Sequence, residues 1–185
     1  MTLKANFWKN KKVLITGHTG FKGSWLTMVL NELGSKIVGV SLEPNTTPSI
    51  FRINKLDTIC KSNIFNIKDY SNLCRLVSDH KPEVIFHMAA QSIVKESYKD
   101  PVNTFETNII GSVNMCEIVR TFDYVKAFVN VTSDKCYKNL EKNTGYKETD
   151  ELGGYDAYSA SKACSEIVTS AYISSFFTEI PRTVT

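Results

Sequence analysis

Hydrophobic and polar positions alternate along the chain with two different periods. Short, nearly continuous apolar runs predict buried β-strands, and apolar residues three or four apart predict helix faces. The five runs lie at residues 13–16, 37–40, 61–65, 83–87 and 127–131. The helices are expected to begin at residues 21, 70, 101 and 157. A polar stretch at 134–154 indicates a long loop, and residues 181–185 predict the start of a sixth strand.

Boundary residues support these helices. Asp69 is placed to cap the second helix, and Pro82 closes it. Asp100 followed by Pro101 is typical of a helix start, and Gly34 is typical of a helix end. Strand and helix alternate, and the strands are nearly continuously apolar except for the third, which Ser62 and Asn63 make weak. This pattern predicts an α/β fold, a doubly wound parallel sheet in one domain.

Composition narrows the function classes. The chain of 185 residues is 42% hydrophobic and 22% charged, which fits a globular protein and argues against disorder. A net charge of +3 is too small to indicate nucleic-acid binding. The sequence shows no signal peptide and no run long enough to span a membrane. Five widely spaced cysteines without a C-x-x-C pair predict reduced thiols in the cytoplasm, and three histidines lack metal-ligand spacing.

Glycines follow the first predicted strand with the spacing G-x-x-G-x-x-G. Gly17, Gly20 and Gly23 lie between that strand and the first helix. Glycines at such a turn let the backbone approach a pyrophosphate, and the helix N-terminus offers N–H groups to it. We therefore predict a Rossmann-like dinucleotide site. A tight turn without a ligand is the alternative.

Cofactor choice depends on the end of the second strand. An acidic residue there binds the ribose hydroxyls in NAD sites. Glu43 is the candidate, although it could equally be a solvated loop charge. Arg52 is the nearest arginine that follows, so the sequence favours NAD over NADP.

Two groups of residues suggest proton transfer. Tyr158 and Lys162 are four residues apart and share a helix face, where the ammonium group favours the phenolate. Thr132, Ser133, Asp134 and Lys135 follow the fifth strand, at the edge where α/β sheets bind ligands. The alternatives are a surface pair and a polar loop without chemistry.

Together these motifs resemble the extended short-chain dehydrogenase/reductase family. Blocks such as VLITGHTGFKGSWL, VNVTSDKCY and YSASKACSEIV are most similar to its CDP-glucose 4,6-dehydratases. Related dTDP-glucose and GDP-mannose dehydratases carry glutamate where this chain has Lys135, so this lysine favours the CDP-sugar enzymes. The resemblance extends from residue 7 to about residue 177.

The resemblance implies a catalytic set. Tyr158 would take the C4 hydroxyl proton of the sugar while NAD+ receives hydride, and Lys162 would stabilise the tyrosinate and bind the nicotinamide ribose. Ser133, with Thr132 as second candidate, would bind the C4 oxygen. Lys135 would remove the C5 proton and Asp134 would protonate the departing C6 hydroxyl. Burial or the charge of Lys162 would favour the neutral form of Lys135 that a base requires.

The resemblance also implies a set of cofactor-binding residues. These are Gly17, Thr19, Gly20, Phe21, Lys22, Gly23, Asn66, Ile67, Ala89, Ala90, Gln91, Asn108, Tyr158 and Lys162. Asn66 stands where the family commonly has aspartate, yet its oxygen can still accept from the adenine amino group. The segments around Ala90 and Asn108 could instead be plain packing. Ser97 and Tyr98 resemble a sugar-facing segment or a surface loop.

Partners and domain organisation follow from the same resemblance. We expect CDP-glucose or a related nucleotide sugar as substrate, and a homodimer or higher homo-oligomer formed through helices at 101–122 and 157–177. Residues 1–185 are expected to form an NAD-binding domain that stops before the last strands, without the family's C-terminal substrate domain. A catalytically silent NAD-binding fragment, or a dehydratase or epimerase for another nucleotide sugar, is the alternative.

Overall fold

The computed structural model describes residues 5–177 and 183–184 and contains a parallel sheet with the strand order β3–β2–β1–β4–β5–β6. The strands are β1 Lys12–Thr16, β2 Lys36–Ser41, β3 Lys61–Ile64, β4 Val84–His87, β5 Ala127–Asn130 and β6 Thr183–Val184. The doubly wound fold class is confirmed, and so are the five predicted strands. Thr183 and Val184 pair with β5, whereas residues 181, 182 and 185 of the predicted sixth strand lie outside the described residues.

Eight α-helices are present among the described residues. They are α1 Ala5–Trp8, α2 Phe21–Glu32, α3 Ile50–Ile53, α4 Tyr70–His80, α5 Val94–Lys99, α6 Pro101–Phe105, α7 Gly111–Thr121 and α8 Ala157–Tyr172. A π-helical turn, Glu106–Ile110, joins α6 to α7, and a second one, Ile173–Phe177, continues α8. The sequence missed α1, α3 and α5 because four to six residues are too few to display a helical period.

The predicted caps are present. Asp69 and Asp100 accept hydrogen bonds from the backbone of Asn72 and Asn103 at the starts of α4 and α6. Asp156 does the same for α8, with Ser159 as donor. Gly34 follows α2 with a φ of +80°, in the left-handed region that a helix end requires. These caps fix where each helix meets the sheet.

Helices cover both faces of the sheet, because consecutive strand residues point to opposite sides. Leu14, Val38 and Ile85 pack with α4 and α7 on one face. Val13 and Ile37 pack with α2 and Trp8 on the other. The core therefore fills both layers, and the carboxyl ends of the strands open onto a single edge. Within the described residues, no helix is both long and apolar enough to cross a bilayer.

The predicted loop at 134–154 contains more structure than expected. A 3₁₀ turn, Asp134–Cys136, packs against α8. Tyr137 and Leu152 form an isolated antiparallel bridge, and the rings of Tyr137 and Tyr146 stack at 5.2 Å. This loop is thereby held near the carboxyl end of β5.

Candidate active site

Residues 17–23, the phosphate-binding turn, form a tight bend between β1 and α2. Gly17 has a φ of +76°, and a Cβ there would lie 2.8 Å from the Ala89 nitrogen. A Cβ on Gly23 would overlap the Gly17 carbonyl oxygen. The Gly20 N–H donates to that same oxygen at 3.0 Å. Side chains at Gly17 and Gly23 would therefore force the bend open, as the glycine spacing predicts.

The N-terminus of α2 fits a phosphate ligand. Gly20 occupies the cap position and has no side chain to accept from the first N–H groups, and the first turn of the helix contains no acidic residue. Free N–H groups and the positive end of the helix dipole therefore point to the edge of the sheet. Lys22 and Phe21 are exposed beside them. The residues present fit a dinucleotide pyrophosphate, and this fit rests on the backbone.

Thr19 and His18 attach the turn to the neighbouring strands. The Thr19 hydroxyl donates to the Leu42 carbonyl oxygen and bonds the Ser41 hydroxyl, both at 2.8 Å. The buried His18 ring lies 2.7 Å from the Ser62 hydroxyl through Nε2. Burial lowers the pKa of His18 to about 4, so this ring is neutral. The Thr19 side chain therefore holds the turn against the end of β2.

The ends of β2 and β3 border an open groove of about 480 Å³. Glu43 and Arg52 line it and form a salt bridge at 3.2 Å. Asn66 Oδ1 accepts from the Lys68 N–H at 3.0 Å, which leaves its second lone pair for a ligand. The Ile67 side chain is buried in the core, so only its backbone can face a cofactor. Glu43 therefore lines the groove with its charge paired to Arg52, whereas Asn66 and Ile67 follow β3 and are not among the lining residues.

Asn108 joins the segment after β4 to α8. Its side-chain oxygen accepts from the Gln91 N–H at 2.8 Å, and its amide donates to the Gln91 carbonyl and the Ser161 hydroxyl. Asn108 lies in the π-helical turn, which is a frequent location of functional residues. It therefore holds the backbone that continues from Ala89 and Ala90.

Tyr158 and Lys162 lie one turn apart near the start of α8, and both are buried. Lys162 Nζ donates to the Val131 carbonyl oxygen at 3.1 Å. Burial lowers the pKa of Lys162 to about 8, and Lys22 adds to this effect while Glu166 opposes it. The lysine is therefore close to its titration point at neutral pH.

The 132–135 segment follows β5 directly and lies beside α8. The Thr132 hydroxyl donates to Glu166 Oε1, so this hydroxyl is already engaged. The Ser133 hydroxyl donates to Asp134 Oδ1 at 3.2 Å. Asp134 and Lys135 are exposed. Lys135 is therefore not buried, contrary to that part of the expectation.

Ser97 and Tyr98 are the residues that the sequence assigns either to a sugar-facing segment or to a surface loop. Ser97 and Tyr98 lie on α5, so this segment is a helix and not a surface loop. The Ser97 side chain is buried and donates to the Val94 carbonyl oxygen, whereas Tyr98 is 72% exposed. Only Tyr98 is available to a ligand.

Glu166 and His87 are two residues of this region that the sequence motifs do not single out. His87 enters the sequence interpretation only as one of three histidines without metal-ligand spacing. Glu166 lies four residues after Lys162, and this helical spacing could have revealed it. His87 bonds Thr16, 71 residues away, which no local pattern indicates. Among the described residues, no three His, Cys, Asp or Glu side chains cluster in a metal-binding arrangement. The five cysteines are free thiols, and burial raises the pKa of Cys60, Cys116 and Cys136 to about 11.

Comparison with known proteins bears on this site. A family model described as GDP-mannose 4,6 dehydratase matches residues 14–183. CDP-glucose 4,6-dehydratase of Salmonella typhimurium is 48% identical over 172 residues, which cover 93% of this chain and 48% of that protein. dTDP-glucose 4,6-dehydratase of Xanthomonas campestris is 30% identical over 86% of the chain and 48% of that protein. The chain spans about half the length of the curated relatives it matches.

A solved structure gives the same picture. The Thermus thermophilus UDP-glucose 4-epimerase complex with NAD has a TM-score of 0.77 and 28% identity, covering 90% of this chain and 52% of that one. Together with the similarity in sequence, this match confirms the resemblance inferred from the motifs.

Proposed function

Because the chain belongs to the GDP-mannose 4,6-dehydratase family, we propose that it is the dinucleotide-binding half of an NAD-dependent 4,6-dehydratase that converts CDP-glucose to CDP-4-dehydro-6-deoxyglucose. One observation carries this proposal. The 3₁₀ turn with Asp134 and Lys135 packs against the helix with Tyr158 and Lys162. The residues proposed as acid, base and hydride-transfer pair therefore belong to two elements that pack together after β5, which supports the proposal.

The dinucleotide would lie across this edge. The backbone of residues 17–23 and the N-terminus of α2 would bind the pyrophosphate, with Lys22 adding charge. Glu43 and Asn66 would face the adenosine half, and Ala89 to Gln91, held by Asn108, would pass under the cofactor. NAD+, when bound, accepts a hydride from C4 of the sugar and returns it to C6.

Tyr158 and Lys162 would begin the reaction. The tyrosinate, which the lysine ammonium stabilises, would take the proton of the C4 hydroxyl and become a neutral tyrosine, and the lysine would also bind the nicotinamide ribose. The Ser133 hydroxyl binds the C4 oxygen. Thr132 is the weaker candidate for that contact because its hydroxyl is held by Glu166. The C4 ketone makes the otherwise unreactive C5 hydrogen acidic.

Asp134 and Lys135 would carry out the elimination. Lys135 removes the C5 proton, and Asp134 protonates the C6 hydroxyl, which leaves as water. When hydride returns to C6, Lys135 would give its proton back to C5, and transfer of a proton from Tyr158 to Asp134 through solvent would restore both groups. The sum is loss of one water without net oxidation. Since both side chains are exposed, a bound sugar has access to them.

CDP-glucose is the preferred substrate for two reasons. The Salmonella relative with that printed activity is 48% identical, compared with 30% for the dTDP-glucose enzyme. Lys135 also follows Asp134 where the resemblance gives the other dehydratases a glutamate. An epimerase is less favoured, because those enzymes lack the Asp-Lys pair.

We further propose that residues 1–185 form the NAD-binding domain and that a substrate domain corresponds to the half of the relatives that the chain does not match. A homodimer through α6, α7 and α8 is supported by exposed apolar residues on that surface, including Val102, Ile110 and Ile167. A cytoplasmic location is supported by the five free thiols.

The decisive experiment incubates the chain with CDP-glucose and NAD+ and measures the alkali-sensitive 4-keto product. UDP-glucose and dTDP-glucose serve as matched substrates. Product from CDP-glucose alone supports the proposal, and product from another nucleotide sugar would correct the substrate. NAD+ binding without product would favour a silent NAD-binding fragment. Absence of NAD+ binding would contradict the proposal entirely.

A further inference from the structure

His87, the last residue of β4, is buried among polar groups that the proposed chemistry does not use. Its Nδ1 lies 2.7 Å from the Thr16 hydroxyl oxygen at the end of β1. Its Nε2 lies 3.5 Å from the Ser112 hydroxyl on α7, and its ring stacks over Phe128. His87 therefore touches the strand that leads into the phosphate-binding turn and the helix that follows Asn108.

The hydrogen bonds of Thr16 indicate which nitrogen carries the proton. The Thr16 hydroxyl oxygen accepts from the N–H groups of Met88 and Ala89, both at 3.0 Å. The Met88 N–H also donates to the Thr16 carbonyl oxygen. A hydroxyl has two acceptor lone pairs and one proton. With the lone pairs engaged, the proton is left for His87, so Nδ1 accepts.

Ser112 leads to the same conclusion from the other side of the ring. Its hydroxyl donates to the Asn108 carbonyl oxygen at 2.8 Å, so it can only accept from His87. The neighbouring Ser165 hydroxyl, at 2.7 Å, is then the donor to Ser112. Both sides of the ring therefore require a neutral imidazole protonated on Nε2.

We propose that His87 is a positioning residue for the dinucleotide site: its Nε2–H tautomer orients the Thr16 hydroxyl, which holds the backbone of Met88 and Ala89 against the phosphate-binding turn. The inference rests on the proposed function in that a dinucleotide is the ligand. Gly17 is so close to Ala89 that a Cβ would not fit between them. A shift of this backbone would therefore move the turn.

The surroundings of His87 keep the required form. Burial, with a contribution from the Lys162 ammonium on α8, lowers the pKa of His87 to about 3. A protonated ring would have no lone pair for Thr16 and would place a second cation near Lys162. The tautomer is thus held by the same packing that buries the catalytic lysine.

The first test needs no cofactor. Long-range ¹H–¹⁵N correlation spectra of the chain labelled at histidine should show His87 as a neutral ring with its proton on Nε2, unchanged between pH 5 and pH 8. A proton on Nδ1, or protonation within that interval, would overturn the proposal. This result is independent of whether the chain proves to be a dehydratase.

The second test compares His87→Gln with His87→Leu. Glutamine offers a carbonyl oxygen as acceptor and an amide NH2 as donor, whereas leucine offers neither. We expect leucine to raise the Kd for NAD+ by about tenfold and the Kd for adenosine, which lacks the phosphates, by less than about twofold. Glutamine should restore NAD+ binding to within about threefold of the unaltered chain.

Two results would contradict this positioning role. One is NAD+ binding by His87→Leu as tight as that of the unaltered chain, and the other is an equal loss of affinity for NAD+ and for adenosine. Should His87→Leu fail to fold, the tautomer measurement on the unaltered chain still tests whether His87 accepts from Thr16. If the unaltered chain does not bind NAD+, the proposed function fails, and the spectra continue to report on His87.

Discussion

The phosphate-binding turn and the 132–135 segment lie at the same edge of the sheet, but they are built differently. The turn is shaped by backbone: Gly17 and Gly23 leave no room for side chains, and Thr19 ties it to the end of β2. In the 132–135 segment the proposed acid and base, Asp134 and Lys135, are exposed side chains. The cofactor half of the site is therefore organised by packing, whereas the catalytic half presents its groups to whatever binds there.

This difference has a consequence for mutations. Changes in the turn displace backbone and should alter stability and cofactor affinity together. Changes at the exposed side chains of the 132–135 segment should leave stability and cofactor affinity unchanged. They should alter only the rate of the proposed reaction. Lys162 and Glu166 differ from both cases, because Lys162 is buried and donates to the Val131 carbonyl oxygen while Glu166 accepts from the Thr132 hydroxyl.

Gly23→Ala is expected to have the largest effect. The new Cβ would collide with the backbone of Gly17 and His18, so the turn must open. We expect the Kd for NAD+ to rise by about 100-fold and the free energy of unfolding to fall by roughly 1–3 kcal/mol. Calorimetric titration and urea melts measure the two effects.

Gly145→Ala is the matched control for that change. Among the described residues, nothing lies within 4 Å of a Cβ placed there. NAD+ affinity and stability should therefore stay at the values of the unaltered chain. Unchanged NAD+ affinity in Gly23→Ala would show that the backbone of the turn does not form the cofactor site.

Glu43→Gln is expected to change cofactor choice. The salt bridge between Glu43 and Arg52 is exposed, with side-chain accessibilities of 65% and 63%, so its loss should cost little stability. It would free Arg52 to bind a 2′-phosphate and remove the charge that repels it. The ratio of NADP+ to NAD+ affinity should rise by about tenfold.

Arg52 supplies the control for the change at Glu43. Glu43→Gln combined with Arg52→Gln should lose the gain in NADP+ affinity, because no guanidinium is then available. If Glu43→Gln left the affinity ratio at its original value, Glu43 would be a solvated loop charge and not a ribose ligand.

How far the sequence predicts this site depends on how local each interaction is. The turn could be predicted because glycine spacing and an adjacent strand and helix are enough to define it. The pairs Thr132–Glu166 and Thr16–His87 could not, since they join residues 34 and 71 positions apart whose contact depends on how α8 and β4 pack. The exposure of Lys135 is likewise a property of the folded chain, so of the two causes named for its neutral form, burial and the charge of Lys162, burial is wrong.

The titration of Lys162 gives a smaller, pH-dependent effect. Its pKa is about 8, compared with 10.5 for an ordinary lysine, so NAD+ affinity should fall as pH rises through 8 and the ammonium is lost. Between pH 8 and pH 10.5 this lysine is neutral in the folded chain and charged in the unfolded chain, so unfolding takes up a proton. The contribution of Lys162 to the free energy of unfolding therefore rises with pH across this interval. NAD+ titrations from pH 6.5 to 9.5 should locate the midpoint.

Glu166→Gln sharpens that measurement. Glutamine keeps an acceptor for Thr132 but removes the negative charge that raises the pKa of Lys162, so the midpoint should move to lower pH. Thr132→Val removes the hydrogen bond and keeps the charge, and it should leave the midpoint in place. Equal midpoints in Glu166→Gln and the unaltered chain would mean that the carboxylate does not act on Lys162.

Lys135→Met should have the smallest effect on the fold and the cofactor, and it tests the contrast between the two regions most directly. Because this side chain is exposed, the free energy of unfolding should change by less than about 0.5 kcal/mol, and the Kd for NAD+ should not change. In enzyme that converts CDP-glucose, exchange of the C5 hydrogen with solvent should be lost, since methionine cannot take a proton. Retained exchange would assign the base to another group. A loss of NAD+ affinity would show instead that the 132–135 segment helps to bind the cofactor, and the division between a backbone-built cofactor site and a side-chain-built catalytic site would then fail.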